Sequence, residues 1–275
     1  MSNHKVKKGN REYFSITVNK HRRFHMKVKV NKKYYGEAIG IALLELLYSV
    51  PLIPGNVGNA STYNFPVRLK VIKGLHDNPY PPVRNKNGSY TIDVKRAIDV
   101  VKELEADGVR AVVMSCGFFS IIQEILSEEV NIPVFSSPLL LVPLISRLIG
   151  KNKKVGIIAA SKNRLTKEFL TPVGIDDSIP YIVAGLEPSK EFYACFMGGT
   201  RTILDVDILR KEVVDIAINF KDKNPDIGAL LLECSDLPPF AADIQEATGL
   251  PVFDFITFIN AIYQSVVQKR YNGFL

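Results

Sequence analysis

The chain has 275 residues, 47% of them apolar, with ordinary Gly and Pro content and three cysteines; that is enough for a large core and too few thiols, in odd number, for a disulfide framework. Its longest greasy stretch, Ile132 to Ile149, is interrupted by Pro133, Pro138, Pro143 and Arg147, which excludes a membrane span there, and without the apolar core of a signal peptide a reducing cytoplasm is the expected compartment. The net charge of +7 is uneven: residues 1–35 hold eleven Lys/Arg and one acid, while the rest hold twenty-four basic and twenty-seven acidic side chains.

In that basic leader, Tyr13 to Val18 and Phe24 to Val30 alternate apolar and polar residues around Asn19–Arg23. The pattern predicts a β-hairpin or a solvated leader. A basic segment can meet nucleic acid or an acidic partner. A solvated charged face is the plainer reading, so no nucleic-acid and no membrane partner is expected.

Ile39 to Leu47 reads as a strand, followed by a loop dense in Gly, Asn and hydroxyls from Pro51 to Thr62. Val67 to Ile72 reads as a second strand. Apolar residues at 94, 97, 98, 101 and 104 give a helical period over 92–104. A strand ending at Cys116, a helix over about 118–130, a strand at Pro133 and a helix over 142–148 follow. The second half opens with a strand over 154–160, a helix starting at Leu165, a short strand over 181–184 and an amphipathic helix over 206–220. A strand ending at Cys234, a helix over about 238–248, a strand at Pro251 and a helix over 256–267 close the series. The last helix is expected to pack back on the first half. Such alternation predicts parallel sheets with right-handed crossovers. The expected domains are a basic extension over 1–35, a first α/β domain over 36–137 plus 254–275, and a second over 138–253.

One block occurs twice. Ala111-Val112-Val113-Met114-Ser115-Cys116 precedes Pro133-Val134-Phe135, and Ala229-Leu230-Leu231-Leu232-Glu233-Cys234 precedes Pro251-Val252-Phe253. The cysteines are 118 residues apart, and each stands seventeen residues before its proline. Each block reads as strand–helix–strand with a thiol at the carboxyl end of a strand, where ligands bind in parallel sheets. A lone cysteine there is usually a small buried hydrophobe. The same residue at equivalent places in a repeat points instead to chemistry. Gly117 after Cys116 allows a sharp turn, and Asp236 after Cys234 suits a helix N-cap. Both thiols are therefore expected at helix N-termini, which bring a thiol pKa toward neutrality and suit it to acid–base work. Cys195 has no counterpart in the repeat and reads as core packing.

Further polar residues at strand ends are candidates to hold a carboxylate: Asn56, Asn59, Ser61 and Thr62, then Ser136 and Ser137, and the turn Gly198-Gly199-Thr200. Ordinary turn chemistry explains each equally well. His4, His21, His25 and His76 form no ligand cluster, and no P-loop or dinucleotide fingerprint follows any strand. No metal and no cofactor are expected.

These residues resemble the aspartate/glutamate/hydantoin racemase superfamily over nearly all of 36–270. Ser115-Cys116-Gly117-Phe118 is similar to a first cysteine motif of that superfamily, and Glu233-Cys234-Ser235-Asp236-Leu237-Pro238 to the second, where Cys-Thr is usual. Pro54 to Ala60 and Phe65-Pro66-Val67 resemble a signature loop that often has Asp at the place of Asn56. The resemblance implies two pseudo-symmetric, racemase-like α/β domains with flavodoxin-like parallel sheets and a cleft between them. It implies a cofactor-independent racemase or epimerase acting on an aspartate- or glutamate-like amino acid or related carboxylate. Cys116 and Cys234 would be the two bases. Asn59, Ser61, Ser115, Gly117, Phe118, Ser136, Ser137, Ser235 and Asp236 would be substrate contacts, with backbone N–H groups near Gly117 and Ser235 stabilising developing charge. A homodimer goes with that reading. Hydantoin racemases, maleate isomerases and arylmalonate decarboxylases share the scaffold, and a non-catalytic metabolite-binding relative is the remaining alternative. Glu45 and the basic leader lie outside the pattern.

Overall fold

The computed structural model describes residues 34–45, 51–75, 93–197 and 203–274, all within the unit Lys32–Leu275. The hairpin expected over 13–30 and the Gly198-Gly199-Thr200 turn lie outside the described residues. Two four-stranded parallel sheets form the frame. The first is built from β1 (Ile39–Leu44), β2 (Val67–Ile72), β3 (Ala111–Met114) and β4 (Val134–Phe135), in the order β2-β1-β3-β4. The second comprises β5 (Lys154–Ala159), β6 (Tyr181–Gly185), β7 (Ile227–Leu232) and β8 (Val252–Phe253), in the order β6-β5-β7-β8. Every pairing is parallel. The two orders are the same, so the sequence repeat is a repeat of architecture: two α/β halves of one topology.

The helices are α1 (Val94–Asp107), α2 (Gln123–Glu128), α3 (Val142–Leu148), α4 (Lys167–Leu170), α5 (Lys190–Phe192), α6 (Val206–Lys223), α7 (Ala241–Thr248) and α8 (Phe255–Val266). Among the described residues no helix is long and apolar enough to cross a membrane.

Strand side chains alternate between faces, and the core follows. In the first sheet Ile39, Ile41, Ala111 and Val113 face one way, against Tyr63, Phe65 and the α8 residues Phe255, Ile259 and Ile262. Ala42, Val112 and Met114 face the other, against Ala97, Val101 and Leu104 of α1. In the second sheet Ile158, Leu230 and Leu232 join Leu209, Val213 and Ala217 of α6 and Ile244 of α7. The opposite residues, Val155, Ile157, Ala159, Ala229 and Leu231, belong to the same cluster as Val112 and Met114. One apolar cluster thus runs through both halves. The residues 255–266, which follow the second sheet in sequence, return to cover the first.

Two connections differ from expectation. The segment after Cys116 is not one helix over 118–130. It is a 3-10 helix over Gly117–Ile122, buried on every side, followed by the short α2. A buried six-residue link lacks the one-sided apolar pattern that marks a surface helix, and the tighter winding suits short pieces. After Cys234, Pro238–Phe240 is again 3-10 and α7 begins only at Ala241. Neither thiol is followed directly by an α-helix.

Candidate active site

The carboxyl ends of β3 and β7 each run two residues past the last paired position to a cysteine. Cys116 is half-buried and is the N-cap of the 3-10 helix Gly117–Ile122. Cys234 is buried, at 7% exposure. The two thiols are close enough that Cys116 is among the groups raising the pKa of Cys234. Burial is the largest cause of that rise, followed by the charges of Asp236 and Glu233. The expected lowering of this thiol by a helix N-terminus is therefore corrected. No α-helix begins beside it, while the buried Glu233 and the half-buried Asp236 flank it.

Three contacts join the halves around the thiols. Asn56, buried in the loop after β1, donates from Nδ2 to Asp236 Oδ1 at 2.6 Å, while its own Oδ1 accepts from Gly58 N at 2.8 Å. Gly55 has φ +100°, and a Cβ there would lie 2.8 Å from Pro239 Cα. A Cβ on Gly117 would collide with Glu233 Oε1 and come within 2.6 Å of the Glu233 carbonyl oxygen. Glycine is needed at 55 and 117 because backbone from the other half lies where a side chain would go.

Asp236 does not cap a helix as expected. Leu237 precedes the 3-10 turn and Phe240 precedes α7. Its Oδ1 instead accepts from Asn56 and its Oδ2 from the Cys234 thiol at 3.5 Å. Burial pushes its carboxyl up to about 6 against the easing effect of those two bonds.

Glu233 is the residue that sequence reasoning passed over. It occupies the place equivalent to Ser115, 118 residues on. Ser115 Oγ accepts from Leu44 N at 2.8 Å, so the first half satisfies that position with a short side chain. Glu233 is 1% exposed, and neither carboxyl oxygen has a hydrogen-bond partner among the described residues. The longer side chain reaches across to Gly117. Burial pushes its carboxyl up to about 7, moderated by the nearby Ala160 backbone and reinforced by Asp236. An acid closing an otherwise apolar strand, Ala-Leu-Leu-Leu-Glu, was the available signal.

The other candidates are placed as follows. Phe118 is buried edge-on against Phe169, with ring centroids 5.0 Å apart. Ser235 is half-buried between Cys234 and Asp236. Ser136 is fully buried with no partner for its Oγ among the described residues, and its backbone N donates to Gln123 Oε1. Ser137 caps the 3-10 helix Pro138–Leu141 by accepting from Leu139 N. Asn59 and Ser61 bond to each other in the loop after β1, with Ser61 exposed. Thr62 accepts from Gly55 N and donates to the Asn56 carbonyl, which braces the loop that carries Asn56. Cys195 is buried within a π-helical turn, its thiol 3.6 Å from Glu191 Oε1. Among the described residues no group of His, Cys, Asp and Glu is arranged to hold a metal ion.

The chain is 30% identical over 238 residues to dimethylsulfoniopropionate lyase of Durusdinium sp. clade D, a match covering 84% of this chain and 76% of that protein. It is 26% identical to dimethylsulfoniopropionate lyase 7 of Emiliania huxleyi (strain CCMP1516), covering 83% of this chain and 67% of the relative. It is 28% identical to lyase 3 of the same organism, where the match spans 60% of the relative's length. No family model matches. Among solved structures, unliganded arylmalonate decarboxylase aligns with TM-score 0.53 at 14% identity, covering 86% of this chain and 95% of that one. Picrophilus torridus aspartate racemase aligns with TM-score 0.53 at 16% identity, covering 86% and 96%. The fold is thus the two-sheet α/β fold that arylmalonate decarboxylase and aspartate racemase also have, and these relatives and neighbours are enzymes. The expected racemase or epimerase activity is corrected: the sequence relatives carry the name of a carbon–sulfur lyase.

Proposed function

The chain belongs to the dimethylsulfoniopropionate lyase family, and from that premise we propose that it cleaves the carbon–sulfur bond of a β-sulfonio carboxylate by elimination. For dimethylsulfoniopropionate a base takes a proton from the carbon next to the carboxylate. That C–H electron pair becomes the new carbon–carbon double bond, the C–S bond breaks, and dimethyl sulfide leaves with the bond's electrons. The products are acrylate, neutral dimethyl sulfide and the protonated base. No hydride or electron is transferred.

Cys116 is assigned as that base. Two neighbouring thiols repel a second negative charge, so one proton at most leaves the pair readily. Burial, Asp236 and Glu233 hold Cys234 in its protonated form, which directs the charge to the half-buried Cys116. Cys234 then lines the far wall as a thiol, donating to Asp236. The departing sulfide is neutral once the bond breaks, so no general acid is needed.

The observation that supports this reading most is the meeting of the Cys116 and Cys234 turns across the halves, in a chain of this family. Headspace dimethyl sulfide and NMR of acrylate test it with reduced protein. Wild type is expected to release both products in equal amounts. Cys116→Ser is expected to lower kcat by about a thousandfold or more, within the range general-base catalysis contributes together with the thiol's lower pKa, and Cys234→Ser by less. A wild type that releases no dimethyl sulfide, or a Cys116→Ser enzyme of normal kcat, overturns the reading.

A further inference from the structure

Resting on the lyase reading, the geometry points to Glu233 as the residue that, with Asp236 beside it, receives the onium cation of the substrate. The inference begins with an orphaned group. In native proteins buried polar atoms are paired almost without exception, and an unpaired one needs an explanation. Glu233 is 1% exposed, no side chain among the described residues bonds either of its oxygens, and only the backbone of Ala160 is set against its charge. It is not out of the way. It follows the last residue of β7, precedes Cys234, and reaches to Gly117 beside Cys116.

The surroundings carry one sign of charge. Asp236 raises the pKa of Glu233, and both acids raise that of Cys234. The polar groups that meet Asp236 are an uncharged amide and a thiol. Among the described residues no Lys, Arg or His forms an ion pair with Glu233 or Asp236. A buried carboxylate without a counter-charge is strongly disfavoured and holds its proton instead; a cation that donates no classical hydrogen bond would let it ionise. A trialkylsulfonium or quaternary ammonium has that character: a positive charge spread over methyl groups, with a small desolvation penalty for a cation. The equivalent position in the first half carries Ser115, already satisfied by Leu44 N, so the acid is peculiar to the wall that faces Cys116.

The test uses binding alone, with the full chain and titration calorimetry. The probes are 3-(trimethylammonio)propionate, whose leaving group is poor, and its carbon isostere 4,4-dimethylpentanoate, in which a neutral tert-butyl group replaces the cation. Both keep the carboxylate and chain length of dimethylsulfoniopropionate and carry one methyl more at the head. Wild type is expected to bind the cation at least about tenfold more tightly, a modest value for a charge pair out of water. Glu233→Gln, which keeps the shape, is expected to bring the two within about threefold, and Asp236→Asn to narrow the gap less. Equal affinities in wild type, absence of cation binding, or a preference that survives in folded Glu233→Gln each overturn the assignment. The wild-type comparison stands even if the variants fail to fold. Dimethyl sulfide release is read separately. Cation preference without release sinks the lyase reading and supports an onium site for another substrate, while release without preference sinks only this inference.

Discussion

Glu233 also sets how stability responds to pH. Its carboxyl titrates near 7 in the folded chain, against 4.5 for an unburied one. A folded-state pKa above the unfolded value means that the folded chain holds its proton over a wider range. Stability is then complete below about pH 4.5, falls as pH rises toward 7, and levels off above it. A rise of this size in a fully buried group is worth about 3 kcal/mol. Asp236, pushed up to about 6, acts in the same direction over a lower window. Glu233→Gln keeps the side chain uncharged at every pH. That variant is expected to match wild type near pH 4.5, to exceed it by about 3 kcal/mol at pH 8, and to show a flatter urea-unfolding profile between them. A variant less stable than wild type at pH 8 would show that the carboxylate has a counter-charge after all.

At the level of elements, the loop after β1 and the turn after β7 meet through residues chosen for smallness and for one amide: Gly55, Asn56 and, across from them, Asp236 and Pro239. The helix that returns to the first sheet is fixed by its own start. Asp254 accepts from Thr257 N at 2.7 Å while Thr257 Oγ1 accepts from Asp254 N at 3.0 Å, a full capping box. Asp254 is 3% exposed and burial raises its carboxyl, against the bonds from Thr257. Removing the cap with Asp254→Ala is expected to cost about 1–2 kcal/mol of thermal stability. Asp254→Asn keeps an acceptor without a buried charge and is expected to cost less than half of that. Comparable losses in the two would mean that the charge, not the cap, does the stabilising.

The same contrast explains what was legible beforehand. Strands such as Lys154–Ala159 and Ile227–Leu232 announce themselves as continuous apolar runs because both faces of a parallel sheet are covered. The helix over 94–107 declares itself by its one-sided period. The segment Gly117–Ile122 carries no period, being buried all round, and so was read as part of a longer helix. Within the site, the paired cysteines were legible because the repeat doubles the signal. Glu233 and the Asn56–Asp236 bond were not, because each depends on which residues of one half face those of the other, and no spacing along the chain encodes that. The relatives' lyase name was not legible at all, because racemisation and elimination can both begin by removing a proton beside a carboxylate.

Across the whole molecule, the return of residues 255–266 to the first sheet has a consequence for how the chain is made. On a ribosome the strands Ile39–Leu44 and Ala111–Met114 emerge early, yet Phe255, Ile259 and Ile262, which cover their inner face, are synthesised only after the entire second sheet. Contacts of such long sequence separation form slowly, since closing the intervening loop costs entropy before any contact rewards it. The second sheet draws its helices α6 and α7 from its own sequence neighbourhood and suffers no such delay. The half that is translated first is therefore completed last. Pulse-labelling hydrogen exchange during refolding is expected to find amides of β5 and β7 protected before those of β1 and β3, with an uncovered apolar face persisting in the interval as the stage of this protein's life most exposed to aggregation.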